Sequence, residues 1–256
     1  TGGEPWTEKP WKWLFQVIGK SKVPIMNSAG GTEVSGSILH CCLHRPFKVG
    51  SFNAPIPGMS ADILNLDGQK VSTNEMGELV MRKSSIGLTK SLWNDDKRYI
   101  DNYWSVIKDY WVHGDLASRD ADGHWYLHGR SDDTIKVSGK RIGPSELESV
   151  IVKSGKAKEV AAVGIPDANK GSKIILSIVP AENNDQKESF FEDLVIKDLG
   201  KSFKPDKVIF VKDLPKTRNM KIMRRVIKSC LANQDPGDLS TLLNPESVEE
   251  IRSHAI

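Results

Sequence analysis

Two short apolar runs, residues 160–165 and 174–179, constrain this chain more than any other feature. Each is the length of a strand, rich in Val and Ile, and bounded by polar or Gly/Pro residues, which reads as a buried strand. Strands of that kind need helices to cover them, and the flanking sequence supplies them. A helix is expected from Pro144, with Pro at its first position, Glu146 in its first turn and Leu147, Val150 and Ile151 along one face. Phe190, Phe191, Leu194, Val195 and Leu199 form a second helical stripe that stops at Gly200. Residues 208–211 make a third strand, and Ile222, Met223, Val226, Ile227 and Leu231 line a further helix. The tail beyond Asn233 is polar, with weak helical character from Pro245.

Upstream the texture differs. Residues 1–60 are punctuated by Val23-Pro24, Gly30-Gly31, Arg45-Pro46, Ala54-Pro55 and Pro57-Gly58, which predicts short strands and turns with one helix near residues 9–19. Residues 61–66 and 77–82 alternate as strands around a turn at Asp67-Gly68. The pattern changes near residue 130. The expected fold class is α/β (α+β): a β-rich piece of a larger domain over residues 1–131, then a small α+β domain over 132–256 with a central sheet flanked by helices.

Composition excludes several function classes. The formal charge of +3 over 256 residues is too small and too dispersed to call for nucleic acid. Cys41, Cys42 and Cys230 are too few and too irregular for a disulfide framework or a zinc site. No segment approaches the ~20 apolar residues of a membrane span. These features fit a reduced, cytoplasmic compartment and no membrane partner.

The densest chemical signal lies in residues 110–148: Tyr110-Trp111-Val112-His113-Gly114-Asp115, then Asp122-Gly123 through Gly129-Arg130-Ser131-Asp132-Asp133, then Ser138-Gly139-Lys140-Arg141 and Glu146-Leu147-Glu148. Gly114-Asp115 sets a carboxylate at a tight turn, where it can accept hydrogen bonds from a vicinal diol. Arg130 suits an anion or ribose contact, and Asp132-Asp133 opens a hairpin turning at Ser138-Gly139-Lys140.

The run resembles the linker region of AMP-forming acyl-CoA synthetases, within the superfamily that also holds luciferases and peptide-synthetase adenylation domains. The resemblance implies that Asp115 holds the ribose hydroxyls of ATP, that Arg130 supports ribose and phosphate, and that Asp132 is the hinge of the C-terminal domain. It implies further that Gly139 lies on the loop used for thioester formation with CoA, and that Arg141 faces phosphate or CoA.

Ala29-Gly30-Gly31-Thr32-Glu33 is similar to the family's aromatic-Gly-x-Thr-Glu segment, which implies Thr32 on the α-phosphate and Glu33 on Mg2+. Gly3-Glu4-Pro5 resembles the segment whose backbone lines the adenine. Pro215-Lys216-Thr217-Arg218-Asn219-Met220-Lys221 is similar to the Pro-Lys-Thr-x-x-Gly-Lys loop, whose last lysine drives adenylation. An ammonium bridging acid and phosphate offsets charge that builds as pyrophosphate leaves, and Lys221 is that candidate. Met220 stands in place of the family's Gly, where positive φ would strain a side chain. Ala29 stands where an aromatic normally faces adenine. Acetate-specific relatives carry Trp at the position of Gly30, so glycine there implies an acid larger than acetate.

The resemblance thus implies a ligase acting on a small carboxylic acid, ATP and CoA with Mg2+. A carrier-protein acceptor, or a non-catalytic nucleotide-binding module, are the alternatives. No Ser/Thr/Gly-rich phosphate loop of the family type occurs. The expectation is that most of the large domain lies upstream of Thr1 and that these 256 residues alone are inactive.

Overall fold

The structure is a computed structural model that describes residues 1–3, 5–6, 8–182 and 185–256. It divides into two compact units, Thr1–Asp132 and Asp133–Ile256, each with its own core.

In the first unit a short helix α1 (Glu8–Trp13) runs into a π-helical stretch, Leu14–Ile18, closed by the Gly19 N–H on the Leu14 carbonyl at 2.9 Å. Strands β1 (Ala29–Gly31), β2 (Gly36–His40) and β3 (Ala54–Pro55) form an antiparallel sheet in that order. Strands β4 (Ala61–Leu64) and β5 (Gly77–Met81) precede a one-turn helix α2 (Asp96–Tyr99). With β6 (Trp111–Arg119) and β7 (Trp125–Arg130) they make a second antiparallel sheet, ordered β4-β5-β6-β7. The strand read over 61–66 ends at Leu64. There Asn65 Oδ1 accepts the amides of Asp67 and Gln69 at 3.0 and 2.9 Å and turns the chain early. Val34, Ile38, Leu39, Phe52, Leu79, Met81, Trp111 and Trp125 fill the core.

The second unit opens on a hairpin of β8 (Ile135–Val137) and β9 (Lys140–Ile142). Its central residues Ser138 and Gly139 both have positive φ, 49° and 80°, as a two-residue type I′ turn requires. Helix α3 (Pro144–Lys153) follows, with the Glu146 carboxylate accepting the Gly143 N–H at 3.1 Å. Strands β10 (Ala157–Asp167) and β11 (Gly171–Pro180) pair antiparallel, α4 (Glu188–Leu199) crosses over, and β12 (Lys207–Phe210) joins β11 in parallel. Helices α5 (Arg224–Leu231) and α6 (Glu246–Arg252) complete it.

The continuous apolar runs now have their cause. Val160, Ala162, Ile174, Leu176 and Ile178 face one core with Leu147, Ile151, Phe191 and Val195 of α3 and α4. Ala161, Val163, Ile165, Ile175 and Val179 face the other, with Val226 and Ile227 of α5 and Val248 and Ile251 of α6. Both faces of the sheet are covered, so the strands do not alternate with polar residues. Among the described residues no helix is long and apolar enough to cross a membrane.

Candidate functional site

The first unit gathers its polar side chains along β6. Gly114 and Asp115 lie inside this strand, not at the tight turn expected for them. The strand tolerates the interruption because Gly114 adopts φ +83° and the pairing slips on both sides. A Cβ at Gly114 would sit 2.6 Å from Arg130 Nη2, so glycine is what lets the guanidinium lie across the strand. Arg130 uses that room. Its Nη1 donates to the His113 carbonyl at 3.0 Å and to Asp115 Oδ1 at 3.4 Å, and its Nε donates to Asp132 Oδ1 at 3.0 Å. Asp115, Arg130 and Asp132 thus form one charge-assisted cluster.

Two residues that the sequence reading did not assign link this cluster to Glu33. Tyr103 donates its hydroxyl to Glu33 Oε1 at 2.9 Å and stacks on Trp111, centroids 5.3 Å apart and planes 9° from parallel. Burial, and then the hydrogen bond to the Glu33 carboxylate, push the Tyr103 phenol up to about 12. His113 is buried beside Trp111, with Nε2 3.4 Å from Asp115 Oδ2. Burial lowers its pKa against the pull of Asp115, so the imidazole is neutral near pH 7. His113 lay inside the motif already read, whereas nothing local to Tyr103 announced it.

The segment before Glu33 is shaped by close backbone approach. Gly31 is extended, and a Cβ on it would meet Glu33 Oε2 at 2.8 Å and His113 Cε1 at 3.3 Å. Thr32 and Glu33 begin a 3-10 turn, Thr32–Val34. A Cβ on Gly30 would lie 2.0 Å from the Gly36 carbonyl oxygen and 2.6 Å from Ser37 Cα. Glycine at position 30 therefore has a cause in the β1–β2 pairing itself. Residues 1–3 run alongside, with the Thr1 carbonyl accepting the Ser28 N–H at 2.8 Å and Gly3 at φ +114°. Pro5 is exposed, and Glu4 lies outside the described residues.

In the second unit Gly139 is the second turn residue of the β8–β9 hairpin, and Arg141 on β9 is exposed. Lys221 closes a three-residue hairpin loop. The Thr217 N–H donates to the Lys221 carbonyl at 2.9 Å, the Met220 N–H to the Thr217 carbonyl at 2.8 Å, and the Lys221 N–H to Thr217 Oγ1 at 3.2 Å. Such a loop is a turn followed by one left-handed residue. Met220 fills that place with φ +63°, so the loop closes despite the missing glycine and leaves Lys221 exposed. The other lysine of the motif is spent on structure. Lys216 is 5% exposed, with Nζ 2.7 Å from Glu159 Oε2 and 2.5 Å from Asp213 Oδ1.

Two family profiles match this chain, one described as AMP-binding enzyme over residues 1–93 and one as AMP-binding enzyme C-terminal domain over residues 146–221. The chain belongs to the AMP-binding enzyme family. It is 36% identical over 261 residues to an acetyl-coenzyme A synthetase of Pasteurella multocida, covering 98% of this chain and 40% of that protein. To an acetyl-coenzyme A synthetase of Methanothrix soehngenii it is 37% identical over 259 residues, covering 97% and 38%. The chain thus spans about 40% of the length of the curated relatives it matches. Its fold is similar to that of an acetoacetyl-CoA synthetase from Streptomyces lividans, with TM-score 0.84 and 22% identity over 99% of this chain and 40% of the other. An anthranilate CoA ligase in complex with anthranoyl-AMP is similar with TM-score 0.72 and 25% identity, over 87% and 42%. The AMP-binding family assignment fits the mixed helix-and-sheet make-up of the chain.

Proposed function

We propose that this chain serves in an AMP-forming acid:CoA ligase. In that reaction a carboxylate oxygen attacks the α-phosphorus of ATP, the bond to the bridging oxygen breaks, and pyrophosphate leaves. The sulfur of CoA then attacks the acyl carbon and AMP leaves. The observation that carries this reading is the cluster of Asp115, Arg130, His113, Tyr103 and Glu33 in a chain that also presents Lys221 on an exposed hairpin.

Each role follows from what the side chain is free to do. Asp115 accepts the ribose hydroxyls while Arg130, 3.4 Å from its Oδ1, holds it in place. Thr32 donates to the α-phosphate. Glu33 would supply one oxygen to Mg2+. Among the described residues no group of three or more His, Cys, Asp or Glu could hold an ion alone, so phosphate oxygens would complete the shell. Lys221 offsets the charge that develops on acid and phosphate, and Asp132 serves as the hinge between residues 1–131 and 132–256. Gly139 and Arg141 serve the thioester step, and the backbone of residues 3–5 lines the adenine.

The acid is larger than acetate in this reading, because position 30 carries no side chain on the acyl side. The close approach of Gly36 demands the same glycine, so a chain-length series from acetate to hexanoate decides the point, and a clear preference for acetate would remove it. With no phosphate loop of the family type, the 256 residues alone are expected to lack acid-dependent ATP–pyrophosphate exchange. The central test uses the protein made from its complete coding sequence. Lys221→Ala should abolish exchange and spare thiolysis of supplied acyl-AMP, whereas equal loss of both would strip Lys221 of its role. Transfer to a carrier protein in preference to CoA would change the acceptor and leave the first step standing.

A further inference from the structure

A hairpin of two bridged residues is not stable by itself, yet the Lys221 loop must hold an ammonium in one place. The structure shows what braces it. Residues 239–244 return from the tail and lie along the outer side of the loop, with an antiparallel bridge between Thr217 and Leu242. The Leu243 N–H donates to the Lys216 carbonyl at 2.8 Å. Asn244 then turns inward. Its Oδ1 accepts the Lys216 N–H at 3.0 Å, and its Nδ2 donates to Asp213 Oδ2 and to the Leu214 carbonyl, both at 2.8 Å. The Asn244 carbonyl accepts Ser247 Oγ at 2.6 Å, at the start of α6, whose Val248 and Ile251 are core residues.

One buried amide, 7% exposed, therefore ties the packed helix α6 to three loop-side residues, Asp213, Leu214 and Lys216. Asparagine suits the place chemically, since it accepts on one atom and donates twice on the other. Aspartate would set a second carboxylate against Asp213, and leucine would leave the Lys216 N–H and the Leu214 carbonyl without their partner. The Lys216 ammonium secures the same base from the other side through Glu159 and Asp213.

We propose that Asn244 is a positioning residue for the Lys221 loop, and that residues 239–244 brace that loop for the acid-activating step. The proposal rests on the role assigned to Lys221 above. The test compares Asn244→Ala, Lys221→Ala and the unaltered protein made from the complete coding sequence. Acid-dependent ATP–pyrophosphate exchange and thiolysis of supplied acyl-AMP are measured separately, with the best acid of the chain-length series.

A misplaced ammonium should lower the kcat of exchange by roughly tenfold or more, leave the KM for ATP within about threefold, and leave thiolysis within about twofold. Amide hydrogen exchange should quicken at residues 216–222 and stay slow at residues 174–179. Unchanged exchange kinetics in Asn244→Ala, or equal loss of both half-reactions, overturns the brace. Should Lys221→Ala leave exchange intact, the reading of Lys221 fails first and the brace loses its purpose with it. If Asn244→Ala does not fold, Leu243→Pro at an exposed position removes the N–H bond to Lys216 and constrains the bridging Leu242, and it is read by the same outcomes.

Discussion

Met220→Gly should make this chain more stable, which is unusual for a substitution that deletes a whole side chain. Met220 sits at φ +63° because a three-residue hairpin loop requires its last residue to be left-handed. A side chain in that region costs about 1–2 kcal/mol from contact between Cβ and the following carbonyl. Glycine removes that cost and returns about 0.5–1 kcal/mol through the greater freedom of the unfolded chain. Met220 is 59% exposed, so little packing is lost with it. The net gain is about 0.5–1 kcal/mol, a rise in Tm of about 2–4 °C for a unit of this size. Thermal and urea unfolding of the 256-residue chain measure it. Met220→Ala supplies the contrast, because it keeps the Cβ clash and should give no rise, and Met220→Asn should fall between. A glycine variant no more stable than the alanine variant would show that Met220 is not strained and that the loop is held open by something else.

Three further outcomes follow from the same kind of geometry. Gly114→Ala combines φ +83° with a Cβ 2.6 Å from Arg130 Nη2, so it should cost about 1–3 kcal/mol in urea unfolding and weaken AMP binding by the complete protein; Gly139→Ala has open space around its Cβ and should cost only the backbone strain. Glu148 and Arg224 form a two-bonded ion pair at 2.9 and 2.8 Å, and Glu148 also accepts the Ala162 N–H at 2.9 Å. Glu148→Ala should therefore cost about 3–5 kcal/mol, with part of the loss recovered when Arg224→Leu is added. Burial would raise the Asp120 carboxyl, but the Lys48 ammonium at 2.6 Å and the His124 N–H at 2.9 Å bring it down from 3.8 to about 2. A depressed carboxyl adds stability above its unfolded pKa and loses it as pH falls through the folded value, so Asp120→Asn should destabilise the chain at pH 6 and cease to matter near pH 2.

What the sequence could disclose depended on whether a residue's task was local. Strands β10 and β11 were legible because burial on both faces writes itself as unbroken apolar sequence, and the I′ turn at Ser138-Gly139 and the Pro144 helix start are likewise decided by neighbours along the chain. Gly114 was read as a turn because glycine before aspartate usually makes one; inside β6 the same positive φ makes room for a guanidinium sixteen positions away in the chain. Tyr103 could not be found at all, since its partner Glu33 is seventy positions distant and no local pattern marks a phenol that will be buried against a carboxylate. The two lysines of the 215–221 loop make the sharpest case. Residue type alone leaves them equals in a basic run, and only the resemblance to the family loop singles out Lys221. In the fold, Asp213 and Glu159 hold the Lys216 ammonium. A lysine already bound by two carboxylates would have to give them up before it could neutralise a developing charge, and the loss would leave both carboxylates short of a partner. Lys221, exposed on a loop that others hold in place, has no such cost to meet, and for that reason we assign the proposed adenylating role to it rather than to Lys216.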